Sequence, residues 1–464
     1  VYNLSNVKSG VSTVLVNEYQ ESRINSVFGN LSLSFRNAIF LDATARNDWA
    51  SVLPIDNNSF FYPSVSLSAD ITELAAIKSN VLSFLKLRGS YAIVGSIGAL
   101  NPYSLTQTFQ FRDDPWGATL LPFNPNTLNN PNLIAETTNS MEFGLDARLF
   151  GGRVTFDATY YNTKSEDLIV EVQVSAATGY LFAYDNVGEI HNSGIELQLG
   201  ADIVKTDELT WNVMINWAKF NNEVVSLGGL DALVLGGQWN MDLQAREGYP
   251  YGVIWGSAFL RDANDNIVYT NGLPELDPEY KVLGDIQPDW TGGIRTSISW
   301  KGISASVLVD AKMGGDIYTM TNTWGRYAGI LSETMEGREV GVIGDGVMMD
   351  ADGNYVPNNV VVGAEQFNKA AYSNDIVESS VFDASYVKLR QASIGYTLPK
   401  SLLANLPIRD VTISAVGSNL ALLYATIPHI DPETAFSSEN AEQGMEFGQL
   451  PSTRNIGFSI NFKF

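Results

Sequence analysis

Near the end of this chain apolar and polar residues alternate one by one. Ile456, Phe458, Ile460, Phe462 and Phe464 are apolar, and Asn455, Gly457, Ser459, Asn461 and Lys463 separate them. Successive side chains of a strand point to opposite faces, so a period of two describes a sheet with one greasy and one polar face. With half of all positions apolar, a ten-residue alternation arises by chance in roughly one window in a thousand. Here it recurs. Met141, Phe143, Leu145, Ala147 and Leu149 alternate with Glu142, Gly144, Asp146 and Arg148. After a turn at Phe150 to Arg153, Val154, Phe156, Ala158 and Tyr160 alternate with Thr155, Asp157, Thr159 and Tyr161. Ile195, Leu197, Leu199, Ala201 and Ile203 form another set, and a turn at Lys205 to Leu209 leads to Trp211, Val213, Ile215 and Trp217. Ile294, Ile298 and Trp300 precede a tight turn at Lys301 to Ile303, followed by Ala305, Val307 and Val309.

Alternation does not name the solvent on the greasy side, because strands of a soluble sandwich alternate too. The connections separate the two cases. Short turns, with another at Arg36 to Ala38, take turns with long stretches at Tyr103 to Glu136, Leu227 to Asp289, Asp316 to Ser380 and Tyr424 to Pro451. Transmembrane barrels have this asymmetry, with short periplasmic turns, long extracellular loops and aromatic girdles. Trp211, Trp217, Trp300, Phe150, Tyr160 and Phe464 are placed as girdle residues. About thirteen antiparallel strands are expected, at 22–35, 38–50, 60–70, 82–96, 137–149, 153–171, 187–204, 208–224, 289–301, 303–316, 385–398, 409–423 and 453–464. Ile71 to Ser83 reads as a short periplasmic helix.

Composition agrees with an all-β transmembrane barrel. The chain has 464 residues, 45% of them hydrophobic, and a mean hydropathy of -0.01, which is enough apolar material for a large fold. No run approaches the roughly 18 to 20 apolar residues of a spanning helix. No linker or low-complexity block divides it, so one architecture is expected over residues 1–464. The N-terminus lacks a signal-peptide pattern and the strand count is odd, so the chain is expected to be the C-terminal part of a longer barrel. Without cysteine, neither a disulfide framework nor a thiolate metal site is available. The net charge of -23 repels polyanions, which sets nucleic acid aside as a partner.

Eight stretches, in order, carry a family resemblance: FYPSVSLSAD (61–70), LKLRGSYAIVG (85–95), NPNLIAETTNSMEFGLDARLFGGRVTFDATYYNTKSEDLI (130–169), DNVGEIHNSGIEL (185–197), EGYPYG (247–252), GDIQPDWTGGI (284–294), DAKMGGDIY (310–318) and DASYVKLRQASIGYTLP (383–399). Over most of its length the chain resembles the barrel of SusC/RagA-type TonB-dependent transporters of Bacteroidota. The resemblance implies an outer-membrane barrel of 22 strands filled by an N-terminal plug, driven by the TonB complex, covered by a SusD-like lipoprotein and importing glycans or peptides. Against that pattern, this chain is expected to lie after the plug, the TonB-contacting segment and about nine of those strands. Other subunits or the rest of the same protein, the lipid bilayer and a dimeric assembly are further expected partners, and no cofactor is implied.

Polar strand faces carry Asp42, Arg46, Glu142, Asp146, Arg148, Asp157, Glu196 and Asp310, expected to face a lumen or a plug, because charge at membrane depth avoids lipid. Long loops hold Tyr103, Trp116, Tyr184, Trp239, Trp255, Trp324 and Tyr327. Such rings can stack on sugars, grip peptide side chains, pack on one another or meet a lid, and Trp239 with Trp324 is the first choice for a substrate chamber. His191, at a strand mouth, reads as structural or lumen-lining, and His429 as a surface residue. Asp350, Asp352 and Asn354, like Asp262, Asn264 and Asn266, have the oxygen spacing of calcium loops but lack the closing glutamate, so hairpin tips are the competing assignment.

The function expected is TonB-driven import without catalysis. A passive porin or structural barrel is the first alternative. An outer-membrane hydrolase is the second, and no nucleophile and base stand in a recognisable pattern for it.

Overall fold

The computed structural model describes residues 19–98, 100–111, 119, 121–373, 375–404, 407–437 and 443–464. Thirteen long strands form one antiparallel sheet, each beside its neighbour in sequence. They are β1 (Ile24–Phe35), β2 (Ile39–Ala50), β3 (Ser59–Asp70), β4 (Leu82–Ser96), β5 (Glu136–Leu149), β6 (Val154–Glu166), β7 (Glu189–Lys205), β8 (Leu209–Ser226), β9 (Trp290–Trp300), β10 (Ile303–Met313), β11 (Tyr386–Thr397), β12 (Asp410–Ala425) and β13 (Asn455–Lys463). β1 and β13 are its edges.

Register turns the alternation into continuous rows. Leu85, Ala147, Phe156, Leu199, Ile215, Ile294, Val309 and Leu389 lie opposite one another from β4 to β11. The neighbouring row, on the other face, is Lys86, Asp146, Asp157, Gln198, Asn216, Gly293, Asp310 and Lys388. On β8 the apolar positions run from Leu209 through Trp217, then Lys219, Asn221 and Glu223 continue the same face as polar residues. Eight steps of about 3.4 Å, tilted by about 40°, give an apolar belt roughly 21 Å tall, close to the roughly 25 Å of a barrel's lipid-facing band. Trp217 and Tyr160 are thus the last large apolar residues below a polar rim, although both lie mid-strand.

Every connection longer than 12 residues leaves one end of the wall, at 97–135, 167–188, 227–289, 314–385 and 426–454, together with the shorter 51–58. The other end has tight turns and two connections of intermediate length, 71–81 and 398–409. Lys301 and Gly302, at φ 49° and 90°, make a two-residue turn of the handedness that matches strand twist, and glycine supplies the second left-handed position without a Cβ clash. The helix expected over Ile71 to Ser83 is shorter: α1 covers Ile71–Leu74. Asp70 caps its start, accepting from the Glu73 amide at 3.0 Å. Ala76, at φ 46°, ends it by donating to Glu73 O while Ile77 donates to Thr72 O, a Schellman closure that outweighs the helix propensity of the alanines. β6 likewise stops at Glu166, and Ile169–Gln173 leaves the wall for a small loop sheet.

The long loops are folded. Those nearer the N-terminus share a core of Val52, Leu53, Leu100, Leu133 and Ile169. The last three share Met241, Leu243, Ile254, Tyr318, Met320, Val377 and Met445. Val224, on the polar side of β8, is fully buried against Leu227 and Ala245, so the loops fold over that side of the wall. We refer to the assembly of the last three loops as the cap.

Candidate functional site

The cap is built on a four-stranded sheet, Ala232–Gln238, Met241–Arg246, Val253–Phe259 and Leu276–Asp285. Its first hairpin turns through Trp239 and Asn240, with Trp239 at φ 53°. Beside it stands α2 (Met320–Ala328), whose first turn is capped by the Thr319 hydroxyl accepting from the Asn322 amide at 3.3 Å and whose end is Gly329 in the left-handed region. α2 buries Met320, Asn322 and Gly325 and turns Trp324 and Tyr327 outward, as residues three apart on one helix face must.

These elements bring aromatic rings together. Trp239 meets Trp324 edge to face at 6.0 Å, Trp324 meets Phe447 at 4.9 Å, and Phe447 meets Phe436 at 6.3 Å. Trp239 remains 64% exposed and Phe436 44%, so the row offers ring surface to solvent. Tyr327 packs on Tyr372 at 4.8 Å, and Tyr372 lines a small cavity with Trp239, Tyr318 and Asp375. Three of the aromatics singled out in the sequence, Trp239, Trp324 and Tyr327, therefore fall in one place. Tyr184 packs instead against the core of the earlier loops, and Tyr103 is exposed on the 97–135 loop at φ 69°. Trp116 lies outside the described residues. Trp255 is stacked under Arg246 at 3.9 Å. Phe436, Phe447 and Tyr372 escaped notice because each is an isolated aromatic in a stretch without periodicity.

The cap is tied to the wall by charge. The Arg390 Nη2 donates to Asp310 at 2.6 Å and to Glu433 at 2.6 Å, and the Lys388 ammonium contacts Asp431 and Glu433 at 2.5 Å each. Tyr386 donates to Glu433 at 2.7 Å. Arg390 is the extra residue of a β-bulge, skipped between Leu389 and Gln391, which adds a second inward cation next to Lys388. Burial alone would raise the Glu433 carboxyl, but hydrogen bonds from Arg390, Lys388 and Tyr386 outweigh it and hold it at about 2.

The other polar-face charges are paired more locally. Arg88 grips Asp157 with both forks at 2.8 and 2.9 Å, Arg46 holds Asp48 at 2.7 Å, and Asp42 accepts from Ser32 at 2.6 Å. Arg148 stands 3.7 Å from Asp146. Glu142 and Glu196 occupy the same face, opposite Ser90 and Thr159.

Two of the resembling motifs meet at the wall's upper rim. Asp316 accepts from the Asp285 amide at 3.1 Å, and a Cβ on Gly284 would stand 2.2 Å from its carboxylate, so glycine is required there. Burial pushes the Asp316 carboxyl up to about 6, with Asp285 and Asp383 adding to the effect.

The remaining candidates are structural. Asp350 Oδ1 accepts from the amides of Asp352 and Asn354 at 3.0 and 2.8 Å, and Asp262 Oδ1 from those of Asn264 and Asn266 at 2.9 Å each. Each leading aspartate thus closes its own hairpin tip. Among the described residues no group of three His, Asp or Glu is placed to hold a metal. His191 is not on the lumen side: it shares strand parity with Ile195, Leu197 and Leu199, above the belt, and pairs with Glu189 at 2.7 Å. His429 pairs with Glu333 at 2.7 Å, joining two loops of the cap.

A two-faced antiparallel wall, an apolar belt of bilayer height and long loops gathered at one end define a transmembrane β-barrel of the outer-membrane class. The chain matches the family described as TonB dependent receptor-like, beta-barrel, over residues 2–420, and it belongs to that family. It is 25% identical to TonB-dependent receptor P3 of Formosa agariphila over 99% of this chain and 47% of that protein, and 26% identical to TonB-dependent receptor P26 of the same organism over 100% and 48%. It is 30% identical to TonB-dependent receptor SusC of Bacteroides thetaiotaomicron over 44% of this chain and 21% of SusC. Among solved structures, the RagAB peptide importer in its closed-closed state matches with a TM-score of 0.76 at 21% identity, over 95% of this chain and 48% of that one. The chain spans about half the length of the curated relatives it matches. Its wall accordingly lies in the outer membrane, with the cap outside.

Proposed function

We propose that this chain is the C-terminal part of an importer's barrel. Oligosaccharides or peptides are captured at the cap under a SusD-like lipoprotein and move inward when TonB acts on a plug outside this chain. The observation that carries this is the exposed aromatic row of Trp239, Trp324, Phe447 and Phe436 on the cap of a membrane wall. The polar face, with Asp42, Arg46, Glu142, Asp146, Arg148, Asp157, Glu196 and Asp310, then lines the lumen or meets the plug. Capture and release by rings require no bond-making group.

The test is uptake by cells carrying the full-length gene, with and without Trp239→Ala and Trp324→Ala. Uptake should fall at least tenfold in the double variant while the protein still reaches the outer membrane. Unchanged uptake would remove the aromatic row from the path. A large steady conductance in planar bilayers, or release of cleaved cargo, would replace import by a porin or a hydrolase.

A further inference from the structure

We propose that a second cavity in the cap takes an oxyanion group, carboxylate or sulfate ester, of an oligosaccharide cargo whose rings stack on the aromatic row. This assignment rests on the import function above and specifies its cargo. The cavity, about 640 Å3, lies between α2, the segment after it and the start of α3 (Ala364–Ser373). Arg326, Tyr327, Thr334, Arg338, Asn368 and Lys369 are among its lining residues. Its size is that of a small-ligand site.

Charge marks it out. The chain has 28 basic against 51 acidic residues, yet three cations border this cavity and Glu365 is the one carboxylate in its lining. Among the described residues neither guanidinium has a carboxylate in ion-pair contact. Arg326 donates to Ser379 O at 2.5 Å. Arg338 donates to Thr334 O at 2.9 Å, to Gly329 O at 2.6 Å and to the Thr334 hydroxyl at 3.0 Å. Carbonyl oxygens hold the Arg338 fork in place and leave its charge uncompensated, which is the preorganisation an oxyanion needs. Glu333, whose charge acts on Arg326, is engaged by His429 at 2.7 Å. Lys369 pairs with Glu365 at 2.6 Å, but that carboxylate is 79% exposed, and so screened a pair exchanges readily for a ligand anion. The overall charge of -23 does not forbid this, because exposed charges are screened within about 8 Å at physiological salt.

Position links the cavity to the rings. Tyr327 borders it, packs on Tyr372 and stands one turn of α2 beyond Trp324. A chain of sugars with its rings on the row would carry a substituent past Tyr327 towards Lys369, whose ammonium stands 5.1 Å from the Tyr327 ring. Planar apolar surface suits the flat face of a sugar ring, and the row sets Trp239, Trp324, Phe447 and Phe436 one after another.

The test uses the full-length protein on an array of neutral, uronate-bearing and sulfated oligosaccharides and acidic peptides. Anionic oligosaccharides should bind, and Arg338→Gln with Lys369→Gln should weaken them at least tenfold. Lys369→Gln alone, which removes an exposed pair with Glu365 and a cation contact on the Tyr327 ring, should weaken them at least threefold and carries the test if the double variant disturbs the cap. Binding of neutral glycans or peptides alone, no binding of any anionic glycan, or anionic binding indifferent to both variants would overturn the assignment. Neutral glycans lost with Trp239→Ala and Trp324→Ala but kept in the charge variants would sink the anion site and leave import standing. Binding indifferent to all these variants would sink both.

Discussion

Glu433→Gln should release the 426–454 loop from the wall without unfolding the barrel. The wild-type carboxylate receives Tyr386, Lys388 and Arg390, which hold it at about 2 against an ordinary 4.5. That gap corresponds to about 3.4 kcal/mol at about 1.36 kcal/mol per pH unit. A third of the side chain is exposed, 32%, and screening reduces this to about 2 kcal/mol. Arg390 keeps Asp310 and Lys388 keeps Asp431, so no cation is orphaned and the roughly 3 to 5 kcal/mol of a broken buried pair is not reached. Amide exchange across 426–437 in the full-length protein should quicken by about 30-fold at pH 7.5, the equivalent of about 2 kcal/mol. Folding lowers this carboxyl, so its contribution is complete above about pH 4.5 and disappears as pH falls towards 2. Corrected wild-type protection should decline through that window, and that of the variant should decline less. Exchange within threefold of wild type at pH 7.5 would refute the reasoning.

Asp316→Asn should stabilise the cap at pH 7.5 by about 1 to 2 kcal/mol, because a buried carboxyl raised from 3.8 to about 6 opposes folding increasingly as pH rises across that interval. The gain should vanish at pH 3.5, and a loss of protection in 314–320 at pH 7.5 would contradict it. In the wall, Leu199→Arg places a cation mid-belt and should cost about 2 to 4 kcal/mol in urea unfolding from lipid, whereas Gln198→Arg, one residue away on the polar face, should cost under about 1 kcal/mol. Equal costs would mean that the two faces do not meet different solvents.

The strands were legible because alternation is a property of neighbouring residues. Ile195 to Ile203 declare a strand and its two faces wherever the rest of the chain goes, and the observed limits of β4 and β5 fall within one residue of those read from the pattern. The loops were not legible in this way. Trp239 and Trp324 are 85 residues apart and meet only because a hairpin turn and a helix share one core with Met445, and no periodicity records that. Nor does local pattern contain the Arg390 bulge that points a cation at both Asp310 and Glu433. By itself the sequence determined a two-faced membrane wall and which of its ends carries the long loops. Only the tertiary structure decided that those loops form a cap, because contacts between distant segments depend on packing and charge pairing that local order does not encode.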